Sequence, residues 1–433
     1  PAILFNTPGT PDAYMTTLDG YPMTQRGEAG RALRIAHLSS ASGDTVSDIV
    51  LILAAPFLAV MVEHYLDLPE KTALLILSLA FIAAVIGNSV GKGLISLGLG
   101  LFAVSIGTGG DFYPRLSLGA PSLASGFSVT SVVLGVLILG EIFKSLEDLR
   151  MTKPKDGATI PAPLEGSQRM HRGDIGRIAP FVGRSAIIGT VVGALPGVGS
   201  TLAATVGYAS GRRLHARQGR TPSFGQGAPE GIASTEAANS SVSGANLIPV
   251  LSLGIPGNAA AVFLILAMDS IGGFNPGPSV FRFTTDALNP ELVIAFGLFT
   301  TMMFANLLNW TIGGAFMRVI RFLARAPKEA LLPVVFLLTV TSIYVANPKL
   351  TEIGIAVGFG VLGYLMRRLD ISPLPFVIAF ILGSRLEDTA RQAFDATGAD
   401  PFFLFTSPIA LAFTLLAGVI IALSLRSKRN PSS

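Results

Sequence analysis

Apolar runs long enough to cross a lipid bilayer are the strongest constraint on the fold of this 433-residue chain. A spanning helix needs about 20 predominantly apolar residues. Runs of about that length lie at 46–66, 72–90, 127–143, 291–317, 330–346, 350–366 and 402–425. Because hydrocarbon offers no partners to backbone N–H and C=O groups, such runs must form helices. We therefore predict an all-α polytopic membrane protein.

The composition supports this prediction and excludes several other classes of protein. Only 13% of the residues are charged, against about 25% in a typical soluble domain. The chain has no Cys, and its four His residues form no cluster with Asp or Glu at ligand spacing, so we predict no metal site and no cofactor. The net charge of +4 comes from short basic loops. In a protein embedded in the lipid bilayer these loops set the topology, so we predict no binding to nucleic acid.

Shorter or interrupted apolar runs indicate segments that do not simply cross the membrane. They lie at 92–107, 178–206, 244–272 and 371–384. With all basic loops placed in the cytoplasm, the 178–206 run must enter and return, because both its flanks are basic. It is predicted to be a re-entrant hairpin with its tip at residues 195–199, and the 244–272 run is predicted to cross once as a broken helix.

The longest polar stretch, residues 144–177, divides the chain into two membrane halves. We predict a first membrane repeat at 1–143, truncated at its N-terminus, then a cytoplasmic linker, and a second membrane repeat at 178–433. The loop basicity gives the two halves opposite orientations. This predicts an inverted-repeat carrier, provided that the 92–107 run is a crossing.

Each half contains a Pro-Gly pair inside apolar sequence, at Asn6-Thr7-Pro8-Gly9-Thr10 and at Gly254-Ile255-Pro256-Gly257-Asn258. Pro removes a backbone donor and Gly permits any φ, so each pair breaks a helix. Broken helices in corresponding places of two halves indicate the substrate site of a carrier. The alternative is that each is only a packing kink, and that the 195–199 tip is only a hairpin turn.

Freed N–H groups, hydroxyls and amides at these breaks and at the hairpin tip suit a carboxylate substrate. The predicted substrate-binding residues are Asn6, Thr7, Pro8, Gly9, Thr10, Pro196, Gly197, Gly199, Ser200, Thr201, Pro256, Gly257 and Asn258.

Four polar residues are predicted to bind a coupling cation, Na⁺ or H⁺. Asp19 and Asp269 follow the two breaks at similar distances, and Glu236 shares a helix face with Asn239 in a segment of small and polar residues. An acid within a bilayer segment usually has a partner or a task. The alternative is that the two Asp residues are solvated helix ends and that the Glu236 segment is a cytoplasmic loop.

Several blocks of the sequence resemble the large membrane subunit of tripartite tricarboxylate transporters, the TctA family. They are the stretch 1–33, the Gly193-Ala-Leu-Pro-Gly-Val-Gly tip, Pro229-Glu-Gly-Ile-Ala, Leu253-Gly-Ile-Pro-Gly and Asn275-Pro-Gly-Pro-Ser-Val-Phe. The resemblance implies a multi-pass permease of the bacterial inner membrane that takes up citrate-like carboxylates by symport. It also implies a small four-span membrane subunit and a periplasmic substrate-binding protein as partners, and further N-terminal residues before Pro1.

Three other functions remain open from the sequence. An ion channel also uses broken helices, but usually repeats them around one pore. The membrane domain of another transport system, such as an ATP-driven importer, would need an ATPase partner. An intramembrane enzyme would need a cluster of His or Asp residues, and no catalytic set occurs at recognisable spacing, so we predict that the protein is not an enzyme.

Overall fold

The computed structural model is built predominantly of α-helices. It describes residues 2–6, 10–86, 89–107, 109–110, 113–114, 116, 123–151, 170, 172–272, 274, 276–282, 289–314 and 328–427. The helices in this part of the chain are α1 (Ala2–Phe5), α2 (Tyr14–Gln25), α3 (Ala29–Tyr65), α4 (Leu68–Val85), α5 (Val90–Val104), α6 (Val129–Val133), α7 (Gly140–Met151), α8 (Arg172–Gly193), α9 (Ser200–Arg217), α10 (Pro229–Ala245), α11 (Leu247–Leu253), α12 (Ala259–Gly272), α13 (Pro290–Leu308), α14 (Lys328–Ala346), α15 (Leu350–Arg368), α16 (Leu374–Ala396) and α17 (Pro408–Ser427).

A few short elements accompany these helices. One two-stranded antiparallel ladder joins Gly109–Gly110 to Tyr113–Pro114. Two π-helical stretches, Leu134–Leu139 and Asn309–Gly313, continue α6 and α13.

Six helical segments within the described residues are long and apolar enough to cross a bilayer. They are Ala29–Tyr65, Leu68–Val85, Val129–Leu149, Gly173–Gly193, Pro290–Gly313 and Leu350–Arg368. Large apolar side chains on these helices point outward: Leu53 and Phe57 are 70% and 72% exposed. Such a surface fits contact with lipid. The prediction of an all-α polytopic membrane protein is confirmed, whereas the inverted repeat and the re-entrant hairpin stay predictions.

The chain folds into two compact units, and each unit is made of three separate stretches. Unit 1 contains residues 1–60, 156–254 and 276–325, and unit 2 contains residues 61–155, 255–275 and 326–433. Each unit therefore draws on both sides of the predicted 144–177 linker. Helix α7 continues to Met151 and α8 begins at Arg172, so helices enter this polar stretch from both ends, while 152–169 and 171 lie outside the described residues. The division into two repeats stays a prediction.

Helix α10 is the most enclosed helix of unit 1, and its small side chains are the reason. It packs against α2, α8 and α9. Ser, Ala and Gly residues fill most of its length, so neighbouring backbones come very close. A methyl group at Gly43, Gly189 or Gly207 would overlap atoms of α10. Larger residues complete the core beside this contact, with Met23, Ile35, Ile178 and Ile232 almost fully buried.

Unit 2 is organised around α15 and α16. Helix α16 packs against α4 and α5, α17 packs against α4, and α15 packs against α7 and the Leu134–Leu139 stretch. A π-helical stretch leaves carbonyl groups without their usual helical partners. Arg367 on α15 donates to two of them, the carbonyl oxygens of Val136 and Leu137, at 2.8 and 2.9 Å. It also pairs with Glu141 at 2.9 Å.

Both predicted breaks interrupt helices in the same way. Helix α1 ends before Asn6, which has φ +52°, and α11 ends before Gly254, which has φ +71°. Both residues precede the Pro of their Pro-Gly pair by two positions, and both adopt the left-handed conformation that ends a helix. Asn and Gly are the residue types that tolerate this conformation best.

Candidate substrate and cation site

The first break and the hairpin tip, predicted separately from the sequence, lie next to each other in unit 1. A 3₁₀ turn, Pro11–Ala13, follows the first break, and α9 begins at Ser200 directly after the hairpin tip. The Ser200 hydroxyl donates a hydrogen bond to Oδ2 of Asp12 at 3.0 Å. Thr7, Pro8 and Gly9 lie outside the described residues, and Thr10 begins the turn by accepting a bond from the N–H of Ala13 at 3.1 Å.

The hairpin tip presents the N-terminus of α9. Helix α8 ends at Gly193, and a turn over residues 194–199 reverses the chain. Gly197 has φ +82°, which a residue with a Cβ adopts only under strain. Thr201 is exposed, and the first-turn N–H groups of a helix have no helical partners. The tip therefore offers hydroxyls and N–H donors, although the carboxylate of Asp12 lies at the same end.

Glu236, on the polar face of α10, is held by hydroxyl groups. Thr16 on α2 donates to its Oε1 at 2.6 Å, and Ser40 on α3 donates to its Oε2 at 3.0 Å. Helix α10 is not one of the six candidate spans. Burial raises the pKa of Glu236, the two hydroxyl bonds oppose this rise, and repulsion by the nearby Asp12 adds to it. Asn239 lies almost one turn further along α10 and is half-buried.

Asp19, the other predicted cation ligand of unit 1, is fully buried and accepts four hydrogen bonds. Its Oδ1 accepts from the backbone N–H groups of Gly225, Gly227 and Ala228 at 2.8–2.9 Å. Its Oδ2 accepts from the hydroxyl of Tyr208 at 2.9 Å. These contacts order the loop that precedes α10. Cation binding by Asp19 stays a prediction.

Two acids that the sequence reasoning missed, Asp44 and Asp48, lie one helical turn apart on α3. The Ser243 hydroxyl donates a short bond to Oδ1 of Asp44. The Asn306 amide on α13 donates to Oδ2 of Asp48 at 2.8 Å. The sequence did contain a sign of this site, because Asp48 falls inside the apolar run that begins at residue 46. An ionisable side chain in a membrane segment costs free energy and usually has a function.

The second break begins at Gly254, the last residue of its stretch of unit 1, and its residues 255–258 belong to unit 2. Pro256 and Gly257 are buried. Asn258 caps α12, because its side-chain oxygen accepts from the N–H of Ala261 at 2.8 Å. Asp269 lies within α12, with its side chain outside the part of the chain that the structure describes.

The described residues contain no group of three or more His, Asp or Glu side chains that could hold a metal ion. The polar side chains gathered around Ser200, Glu236 and Asp48 are instead hydroxyls, amides and carboxylates. Such oxygens suit an alkali cation or a proton better than a transition metal.

The comparison with known protein families decides the family. The model of the tripartite tricarboxylate transporter TctA family matches residues 1–378. The chain belongs to the TctA family. The resemblance seen in the sequence blocks is thereby confirmed, and this TctA protein is a multi-pass membrane protein of a tripartite transporter.

Two relatives of this TctA protein come from Agrobacterium vitis. An uncharacterized 52.8 kDa protein in the TAR-I ttuC' 3'region is 31% identical over 440 aligned positions, covering 99% of this chain and 83% of the relative. An uncharacterized protein in the TAR-II ttuC' 3'region is 29% identical over 250 positions, covering 56% of this chain and 97% of the relative. No solved structure matches the chain.

Proposed function

We propose that this TctA protein is the large permease subunit of a carboxylate symporter in the bacterial inner membrane. It works with a small four-span membrane subunit and a periplasmic binding protein, and a Na⁺ or H⁺ gradient drives uptake of a citrate-like substrate. The family match over residues 1–378 is the main support. The contact between Ser200 and Asp12 adds to it, because it joins two segments that we predict to bind substrate.

The substrate carboxylate would be held at the N-terminus of α9. There the hydroxyls of Ser200 and Thr201 and the first-turn N–H groups offer donors to an anion. Asn6 and Thr10, on the two sides of the first break, are further candidate donors. Binding a carboxylate in this way needs no covalent chemistry from the chain, so we do not propose that the protein is an enzyme.

Coupling to a cation follows from the negative charge beside this anion site. Asp12 contacts Ser200 directly and lies close enough to Glu236 to repel its charge. Binding of the negatively charged substrate beside Asp12 and Glu236 is therefore disfavoured until a cation or a proton neutralises at least one of these carboxylates. We propose that Glu236, with Asn239, supplies the oxygens for this coupling cation. A cation bound there would raise the affinity for substrate, and substrate would raise the affinity for the cation by the same factor.

Reconstitution tests this proposal. The full-length protein, its small membrane subunit and its binding protein are placed in proteoliposomes, and uptake of radiolabelled citrate is followed under a Na⁺ gradient and, separately, under a proton gradient. We expect concentrative, saturable uptake that requires both a gradient and the binding protein. Gradient-independent flux that does not saturate would contradict the proposal and favour an ion channel.

A comparison of two variants tests whether the substrate carboxylate binds at the N-terminus of α9. Ser200→Ala removes the hydroxyl beside Asp12, whereas Thr205→Ala removes one that bonds only within α9, to the carbonyl oxygen of Thr201. We expect the first change to raise the KM for citrate and the second to leave it unchanged. Equal KM values for both variants would place the substrate elsewhere.

A further inference from the structure

The carboxylate of Asp48 is buried in helix α3, near the start of its apolar run, and no cationic group among the described residues pairs with it. Asp48 lies near the midpoint of the 37-residue α3 and is only 4% exposed. Its Oδ2 accepts one bond, from the Asn306 amide, and its buried Oδ1 has no hydrogen-bond partner among the described residues. An ionised carboxylate left in this state is strongly unfavourable, because burial removes its hydration and only one neutral donor replaces it.

A second carboxylate makes this state still less favourable. Asp44 lies four residues earlier on α3, so the two side chains share one face of the helix. Within the described part of the chain, no Arg or Lys pairs with Asp44 or Asp48, and the only side-chain donors to the pair are the neutral groups of Ser243 and Asn306. Two like charges four residues apart on one helix face, with neutral donors only, favour the binding of a proton to one of the two carboxylates.

The other ionisable groups on the helices that contact the pair lie about two turns or more away along those helices. On α3 itself they are Arg31, Arg34, His37, Glu63, His64 and Tyr65. On α10, Glu230 lies in the first turn, three turns or more before Ser243. On α10, Glu236 bonds to Ser40, one turn before Asp44. On α13, Glu291 lies at the far end of the helix from Asn306. Among the described residues, no hydrogen bond or ion pair joins any of these groups to Asp44 or Asp48.

The pair is enclosed on one side and open on the other. Asp48 lies against Gly244 of α10, where an added methyl group would overlap its Oδ1. Ser243, which bonds to Asp44, is exposed. Asp44 and Ser243 therefore lie on the open side of the pair, and Asp48 lies on the enclosed side.

From this geometry we propose that Asp48, whose affinity for a proton is increased by the neighbouring Asp44, takes up and releases a proton during each transport cycle. The inference rests on the proposed symport function and adds a proton site separate from Glu236. No covalent bond changes in the chain except the O–H bond of the carboxyl group. The proton enters from one side of the membrane and leaves on the other.

The test uses the full-length protein with its two partner subunits in proteoliposomes that contain a pH-sensitive dye. Two quantities are measured. The first is net citrate uptake under a proton gradient, together with the number of protons that enter with each citrate. The second is the exchange of labelled for unlabelled citrate without a gradient. Asp48→Asn imitates the protonated carboxyl group and cannot release a proton. We expect it to lose net proton-driven uptake but to retain exchange, which needs no change of protonation.

The control and the contrary outcomes separate this inference from the proposed function. Asp67→Asn makes the same chemical change at an exposed residue just before α4 and should leave both quantities unchanged. If the Asp48→Asn variant still takes up citrate under a proton gradient, with as many protons per citrate as the wild type, the inference is wrong and the symport function stands. Wild-type uptake that is driven by Na⁺ and moves no protons leads to the same conclusion. Absence of any gradient-driven uptake in the wild type refutes the function itself.

A second variant decides the case if Asp48→Asn does not fold. Asp44→Asn removes the neighbouring negative charge and keeps Asp48. If the charge of Asp44 increases the proton affinity of Asp48, Asp48 then releases its proton more readily, and the pH profile of uptake shifts toward lower pH. An unchanged pH profile in a correctly inserted Asp44→Asn variant would overturn the inference.

Discussion

The hydroxyl of Thr16 donates a 2.6 Å hydrogen bond to Oε1 of Glu236. This bond joins α2, which follows the first break, to the polar face of α10. Ser40 of α3 occupies the other carboxylate oxygen, so three helices meet at one acid. Its two partners are neutral hydroxyls, which also accept hydrogen bonds and can turn toward a bound cation.

Replacement of Glu236 by Gln should weaken cation coupling. The variant loses a charge while keeping its size and one acceptor oxygen. A hydrogen bond to a charged group is worth about 1.5–3 kcal/mol, so we expect the cation concentration for half-maximal uptake to rise about tenfold or more. The measurement is citrate uptake against Na⁺ concentration and against pH. Glu63→Gln, which breaks the surface ion pair with Lys71, should leave this concentration unchanged.

Replacement of Asp12 by Asn should make substrate binding less dependent on the cation. The change removes the negative charge at the N-terminus of α9, but the side-chain oxygen still accepts a bond from Ser200. Citrate affinity without a coupling cation is therefore expected to increase, and the added effect of the cation to decrease. Isothermal titration of the purified complex, with and without the cation, measures both. An unaltered cation effect would show that Asp12 does not repel the substrate.

The Asp19→Asn variant tests whether Asp19 stabilises the fold or binds the coupling cation. The amide cannot reproduce all the bonds that the two carboxylate oxygens accept from Tyr208 and the loop before α10. Since leaving buried donors unpaired costs about 1–3 kcal/mol, the variant should melt at a lower temperature in detergent. Tyr208→Phe removes one donor and spares the backbone bonds, so its decrease should be smaller. An unchanged melting temperature with lost cation dependence would instead support cation binding by Asp19.

Two glycines of α8 should respond very differently to the same substitution. Gly189 faces the backbone of Ala238 on α10, whereas nothing lies near the position of a Cβ at Gly183. Gly189→Ala should destabilise the protein by about 1–3 kcal/mol through overpacking. Gly183→Ala should be neutral or stabilising, since Ala favours helices by up to about 1 kcal/mol over Gly. Thermal unfolding of both variants checks the contrast, and equal effects would contradict the close packing of α8 on α10.

The helices and their breaks were predictable from sequence because lipid imposes strict rules on the backbone. Apolar length located five of the six candidate spans, but the sixth, Gly173–Gly193, falls in the run that we predict to be re-entrant, and the predicted spans 330–346 and 402–425 form shorter apolar helices. The Pro-Gly pairs located two interruptions whose preceding residues, Asn6 and Gly254, are both left-handed. The hairpin turn lies at residues 194–199, where Pro196 and Gly197 indicated it. These features depend on local sequence alone.

Features that depend on contacts between distant segments were not predictable. Each compact unit takes residues from both sides of the polar stretch 144–177, and periodicity carries no information about such pairing. The four donors to Asp19 come from α9 and from the loop before α10, both far along the chain. Asp48 was visible as an acid in an apolar run, but its neighbour Asn306 and its unpartnered oxygen were not.

The bonds of Asp19 also bear on how the permease moves. The loop before α10 is tied to α2 by this carboxylate and by Arg26, which donates to the carbonyl oxygens of Gln226 and Gly227 at 2.5 and 2.7 Å. Tilting α2 against α10 would break all of these bonds together. We therefore expect the two helices to travel as one rigid body during alternating access. The bond between Thr16 and Glu236, which joins the same two helices, would then persist through the transport cycle, and any hinge must lie outside α2 and α10.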